Sequence, residues 1–301
     1  MQMNYLANYK IRERALQLCL ACLFVGCIAH AQSSEPINIW QGVPHHKKVE
    51  LTPYIASGKN NVAVVVCPGG SYFWHDMEHE GREVGEWLQK NGISAFVLRY
   101  RTAYVPAFLT GFRWVIRGHR YPDAQDDLLQ TLRLIRYNAS VWGLDTTRVG
   151  AMGFSAGGHL VMSAAELFEP QERPAFIVPI YPVVTMQSPY VHRRSRRALL
   201  GDNRKHNSRL RDSLSLERHV PADCPPVFLV NCKDDPIVQY QNSVLLDSAL
   251  TVQQVPHRYL QYATGGHGFG ASQVKGSVAC RSWKEEFLEW LKTIFSNDNK
   301  Q

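Results

Sequence analysis

The chain has 301 residues, 45% hydrophobic and 20% charged; this is globular composition, and it excludes a disordered chain, a collagen-like repeat and a disulfide knot. The formal net charge of +7 is mildly basic, and no recognisable nucleic-acid module accompanies it, so nucleic acid is not an expected partner. Length alone leaves the choice between one and two domains open.

At the N-terminus, Lys10, Arg12 and Arg14 precede an apolar run from Ala15 to Ala29, and the small residues Ala29 and Ala31 fit a cleavage site before Gln32. Residues 1–31 therefore read as a secretory signal and not as a membrane span. A secreted or periplasmic protein without stable membrane insertion is expected; lipid attachment at Cys27 is the alternative. Removing residues 1–31, which hold three basic and one acidic residue, lowers the formal net charge from +7 to +5. Cys19, Cys22 and Cys27 leave with them. Cys67, Cys224, Cys232 and Cys280 remain, at irregular spacings that suit small apolar core residues better than a zinc set or a disulfide framework.

Along residues 32–301, β-rich runs alternate with segments of helical period, which predicts a single α/β domain with a doubly wound, mostly parallel sheet of about eight strands. Ile37–Trp40 and Val49–Ile55 read as edge strands. Val62–Cys67, Ser94–Tyr100, Arg148–Phe154, Phe176–Val183, Val227–Asn231 and His257–Tyr262 read as central parallel strands. Gly81–Lys90, Asp123–Ser140, Ala156–Phe168, Asn242–Gln253 and Trp283–Phe295 carry apolar residues at helical spacing. The stretch from Met186 to Cys224 is polar, basic and weakly periodic. It interrupts the alternation where a lid could sit, and its arginines read as a solvated face.

The strongest chemical signal is Gly153-Phe154-Ser155-Ala156-Gly157, placed between a predicted strand and a predicted helix. That context is the nucleophile elbow, a sharp turn that lifts a serine Oγ above the sheet edge while glycines let strand and helix approach. A serine hydroxyl is a weak nucleophile, so a base and an acid to orient it must follow. Asp235, just beyond the strand Val227–Asn231, is the chosen acid, with its neighbour Asp234 as competitor. His267, in the run Gly265-Gly266-His267-Gly268-Phe269-Gly270, is the chosen base. For the oxyanion of a tetrahedral intermediate, the backbone N–H of Ala156 and those of Gly70 and Ser71 in the glycine turn after the strand Val62–Cys67 are the candidate donors. Tyr72 and Trp74 beside that turn are candidates for an apolar substrate platform, with core packing as the other reading. His159 reads as structural.

His75-Asp76-Met77-Glu78-His79 also fits H-x-x-E-H, a pattern that on a helix can present two imidazoles to zinc. No third ligand follows at a recognisable spacing, so no metal and no cofactor are expected.

Together, Cys67-Pro68-Gly69-Gly70-Ser71-Tyr72, His119-Arg120-Tyr121-Pro122 before Asp126-Asp127, Gly153-Phe154-Ser155-Ala156-Gly157-Gly158-His159, Pro225-Pro226-Val227-Phe228-Leu229 and Gly266-His267-Gly268-Phe269-Gly270 resemble the α/β-hydrolase superfamily. The resemblance is narrowest to its bacterial branch of acetylxylan-esterase-like and feruloyl-esterase-like carbohydrate esterases, and covers about residues 36 to 295. It implies a serine esterase acting on carboxylic esters, chiefly acetyl groups, of plant polysaccharide or oligosaccharide substrates. Ser71 departs from the third glycine common in that branch but keeps a backbone N–H. Three rivals remain at this stage: a prolyl-oligopeptidase-like serine peptidase, a zinc peptidase using His75, Glu78 and His79, and a catalytically silent binding module of the same fold.

Overall fold

The computed structural model describes residues 35–44, 46–57, 61–109 and 118–296. The expected signal at residues 1–31, with Cys27, lies outside them. Eight strands form one sheet among the described residues: β1 (Ile37–Asn38), β2 (Glu50–Tyr54), β3 (Ala63–Cys67), β4 (Ser94–Arg99), β5 (Val149–Phe154), β6 (Ile177–Ile180), β7 (Val227–Cys232) and β8 (His257–Tyr262). Their order is β1-β2-β4-β3-β5-β6-β7-β8. The pairs β1–β2 and β2–β4 are antiparallel, and all the others are parallel.

The centre of the sheet is β-branched and buried on both faces, as covered parallel strands must be. In β3, Ala63, Val65 and Cys67 face one core, and Val64 and Val66 face the other. The first core is closed by helices α2 (Asp123–Tyr137), α3 (Ala156–Leu167) and α5 (Gln241–Val252), through Leu128, Leu132, Leu160, Val161 and Leu246. The second is closed by α1 (Glu83–Lys90) and α6 (Trp283–Phe295), through Val84, Leu88, Trp283, Phe287 and Trp290. The doubly wound α/β-hydrolase arrangement is thus present.

Three expectations need correction. The strand expected over Phe176–Val183 ends at Ile180, because Tyr181 takes φ 38° and Pro182, which lacks an N–H, follows. The strand His257–Tyr262, expected among the central ones, is the outer strand β8 and is only half-buried throughout; its polar His, Arg and Gln suit an edge. The helix expected from Gly81 begins as a π-helical turn, Glu78–Arg82, before α1.

The segment 186–224 carries α4 (Arg193–Leu200), a short helix at Ser208–Ser213 and a 3₁₀ turn at Leu216–Arg218. Leu199, Leu200, Leu214 and Leu216 from this segment join the first core. Its arginines are not simply solvated. Arg196 donates to the Met186 carbonyl at 3.0 Å, Arg197 to the Ala107 carbonyl at 3.0 Å, and Arg204 to the Leu200 and Tyr121 carbonyls at 3.0 and 2.9 Å.

The antiparallel side of the sheet is tied to α2 by Asp127, which has no exposed side-chain surface. One Asp127 oxygen accepts from Trp40 Nε1 at 2.7 Å and from Arg101 Nε at 2.9 Å, and the other from the Arg101 backbone N–H at 2.8 Å. Removing one charge of such a buried pair strands the other. Asp127→Asn is therefore expected to lower the unfolding free energy by about 3 kcal/mol, measured as a lower midpoint in urea denaturation.

Candidate active site

Parallel pairing sets the geometry of the site before any side chain is considered. Cys67 lies opposite Gly153 and Cys232 opposite Tyr262. The loop after β3 therefore runs beside the loop after β5, and the loop after β7 beside the loop after β8, all at the carboxyl edge of the sheet.

At the end of β5 the chain reverses through Ser155, at φ 54° and ψ −114°, a conformation that β-carbon sterics disfavour. Its backbone is held on both sides. Its N–H donates to the Ile180 carbonyl at 3.0 Å, and its carbonyl accepts from Val183 N–H at 3.1 Å and His159 N–H at 3.2 Å. The first turn of α3 presses against the end of β3, so that a Cβ on Gly157 would fall 2.0 Å from the Cys67 carbonyl oxygen. Only glycine permits that approach.

Ser155 Oγ lies 2.9 Å from His267 Nε2, and His267 Nδ1 lies 2.6 Å from Asp235 Oδ2. The second Asp235 oxygen accepts from the backbone N–H groups of Ile237 and Val238 at 2.8 and 2.9 Å, which fixes the plane of the carboxylate. Asp234 has a different place. Its oxygens accept from Gly265 N–H at 3.1 Å and Gly266 N–H at 2.8 Å, anchoring the loop that carries the imidazole. Of the two adjacent carboxylates, Asp235 is the one that meets His267. In chemical terms the chain Asp235–His267–Ser155 can hold the imidazole in one tautomer and take a proton from the serine hydroxyl.

Beside Ser155, the backbone of the turn after β3 takes φ 134° at Gly70 and φ 57° at Ser71. Gly69 N–H is already engaged, donating to Glu80 Oε2 at 2.6 Å. The N–H groups of Gly70, Ser71 and Ala156 find no acceptor among the described residues.

The aromatic candidates separate. Tyr72 is 2% exposed and lies 2.9 Å by its hydroxyl from His159 Nδ1, while His159 Nε2 lies 3.0 Å from the Leu214 carbonyl. A carbonyl only accepts, so Nε2 carries the hydrogen and Nδ1 accepts from the tyrosine. Tyr72 is thus a buried tether between the turn after β3 and α3, and its ring offers no face to a substrate. Trp74 stays partly exposed, with the Arg194 guanidinium of the inserted segment 6.0 Å from its ring centre.

The H-x-x-E-H residues do not converge. His75 stands edge-on to Tyr100 at 4.4 Å between ring centres, and His79 pairs with Glu83 at 3.3 Å. Among the described residues no group of three His, Cys, Asp or Glu gathers as a metal ion needs. Sequence reasoning missed two neighbours of His267. Tyr181 sets its ring at a tilt 4.6 Å from the imidazole, and His192, in the inserted segment, is pushed down to about 4 by burial and then by the nearby His267 and Arg194. Tyr181 had a legible signal, the Tyr-Pro step after a strand; His192 lay in a stretch with no periodicity to orient it.

Residues 52–250 match the family described as BD-FAE. The solved structure of an acetyl ester-xyloside bifunctional hydrolase from Caldicellulosiruptor lactoaceticus superimposes with a TM-score of 0.74 at 30% identity, covering 87% of this chain and 96% of that one. The chain belongs to the BD-FAE family. An acetylxylan esterase of Xylanibacter ruminicola is 30% identical over 225 residues, which are 74% of this chain and 44% of that protein. Endo-1,4-beta-xylanase B of Butyrivibrio fibrisolvens is 31% identical over 249 residues, 77% of this chain and 37% of that protein. The chain thus spans less than half the length of these curated relatives. A carboxylesterase from Lactobacillus plantarum, at 21% identity and a TM-score of 0.68, shares the fold.

Burial of this BD-FAE chain's His159 has a measurable consequence. The imidazole is pushed down to about 4 by desolvation, against the pull of the Leu214 carbonyl. Unfolded, it takes up a proton near pH 6.5; folded, it does so only near 4. Its contribution to stability is complete above pH 6.5 and is lost as pH falls toward 4. Thermal melts across that window are expected to fall less steeply for His159→Gln than for the unsubstituted protein.

Proposed function

We propose that the chain is a secreted or periplasmic serine esterase that removes acetyl groups from xylan-type polysaccharide or oligosaccharide substrates through an acyl-enzyme. The observation that carries this reading is the unbroken hydrogen-bond chain from Asp235 through His267 to Ser155 at the strained elbow. The acetylxylan esterase among the relatives supports the acyl group and the substrate class, and the basic and apolar pattern of residues 1–31 supports export.

In this reading Ser155 Oγ attacks the ester carbonyl while His267 Nε2 takes its proton. Asp235 holds the imidazole and stabilises the imidazolium that forms. The carbonyl oxygen becomes an oxyanion, received by the Ala156 N–H and by the N–H groups of Gly70 and Ser71, none of which has another acceptor among the described residues. The tetrahedral intermediate collapses, the C–O bond to the sugar breaks, and His267 returns the proton to the leaving hydroxyl. Water then attacks the acetyl-enzyme by the same route, releasing acetate and restoring Ser155. The partner is a small-molecule or oligosaccharide ester. No helix among the described residues is long and apolar enough to cross a membrane.

Ser155→Ala is expected to lower turnover of an acetyl ester by about 10⁴-fold or more with an unchanged melting temperature, and to abolish labelling by a fluorophosphonate probe. Retained turnover in that variant would reject the assignment. Comparing rates on acetyl, longer-acyl and feruloyl esters with acetate release from acetylated xylan fragments tests the substrate: acetylated xylan and acetyl esters are expected to lead. Preference for a peptide amide substrate, or loss of activity with a chelator, would turn the reading to one of the peptidases.

A further inference from the structure

One buried carboxylate beside the site has no part in that mechanism. Glu80, in the π-helical turn Glu78–Arg82, is 3% exposed. Its Oε2 accepts the Gly69 N–H at 2.6 Å, at the start of the turn that holds Gly70 and Ser71. Its Oε1 accepts from the Tyr181 hydroxyl at 2.8 Å, and that hydroxyl oxygen in turn accepts the Gly270 N–H at 3.0 Å. Gly270 closes the loop that carries His267, and the next N–H, of Ala271, donates to the His79 carbonyl at 3.1 Å. The two loops come from opposite ends of the chain, and the Glu80 carboxyl group is the joint between them.

We infer that Glu80 is a positioning residue for the ester hydrolysis proposed above, on which this role rests: through Tyr181 its carboxylate locks the loop of oxyanion donors to the loop of His267, and its charge favours the imidazolium. Both Glu80 oxygens serve as acceptors, the arrangement of an ionised carboxylate. Burial pushes its pKa up, while His267, the Tyr181 hydroxyl and the Gly69 N–H act to lower it. Besides Glu80, the groups acting on His267 are Asp235, Ser155, Tyr181 and His192; besides His267, the titratable groups facing Glu80 are Tyr181, Asp76 and Tyr100. A π-turn at this point fits the role, since such turns break helical register to aim a side chain.

Glutamine at position 80 keeps the size and the bond to Gly69 but presents an amide N–H to a hydroxyl that already accepts from Gly270, leaving the tyrosine hydrogen without its acceptor. The experiment is steady-state hydrolysis of an acetyl ester from pH 4 to 9, with melting curves, for the unsubstituted protein, Glu80→Gln and Tyr181→Phe. For Glu80→Gln the expected result is a kcat lower by about 100-fold at little-changed KM. The acid limb of kcat/KM should also move to lower pH, because the imidazolium has lost a nearby negative charge. Tyr181→Phe, which keeps that charge and the ring packing, is expected to lower kcat while leaving the acid limb in place. A folded Glu80→Gln with unchanged kcat and acid limb overturns the inference. Should that variant not fold, unchanged kcat in Tyr181→Phe overturns it. An unsubstituted protein inert toward the ester overturns instead the functional reading beneath it.

Discussion

Unbroken parallel pairing from β3 through β5, β6 and β7 to β8 obliges these strands to end at one edge of the sheet. Ser155 and Ala156, Gly70 and Ser71, Asp235, and His267 each sit one to five residues beyond such an end. Their convergence needs no long-range search by the side chains; it follows from strand direction and register, which the two apolar faces fix. A slip of one residue in β5 would bury the serine in a core and turn Phe154 out of it. The depth of burial on both faces, with Val64, Val65 and Val66 all fully covered, is thus what gives the site its geometry.

Within that frame the elbow is a local cost borne by global packing. A non-glycine residue at φ 54° is disfavoured by about 1–3 kcal/mol, and a hydrogen bond to the Ile180 carbonyl with others from the Val183 and His159 N–H groups hold it there. The same economy recurs in the loop of His267, where Asp234 takes two backbone N–H groups. Adjacent carboxylates divide the labour: one orients an imidazole, the other the chain that bears it.

The features legible in the sequence were those enforced by strong local chemistry. Val-rich runs announced the central strands, and glycines two residues either side of Ser155 announced the elbow. The serine, acid and base also stood in the chain order of this fold. What could not be read depended on direction or contact. Asp234 and Asp235 differ only in which way each points after β7. Tyr72 fitted a substrate platform and core packing equally well, because sequence carries no sign of the His159 ring beside it that decides for packing. The end of β6 hung on one left-handed tyrosine, and Glu80, one residue ahead of the helix expected from Gly81, drew no reading at all because only the π-turn turns it inward. Arg196, Arg197 and Arg204 looked solvated because carbonyls are among their partners, and a carbonyl has no sequence signature.

Those arginine-to-carbonyl bonds bear on how selectivity can change. The segment is fastened to the rest of the fold at Ala107 and Tyr121, braced internally by the bonds to Met186 and Leu200 and rooted by leucines in the core, while His192 and Arg194 project from it toward His267 and Trp74. Such a roof is a fixed awning more than a hinged door. On the reading proposed above, new preferences among leaving alcohols are reached by exchanging the side chains that hang from it, one at a time, with the Asp235–His267–Ser155 floor left undisturbed.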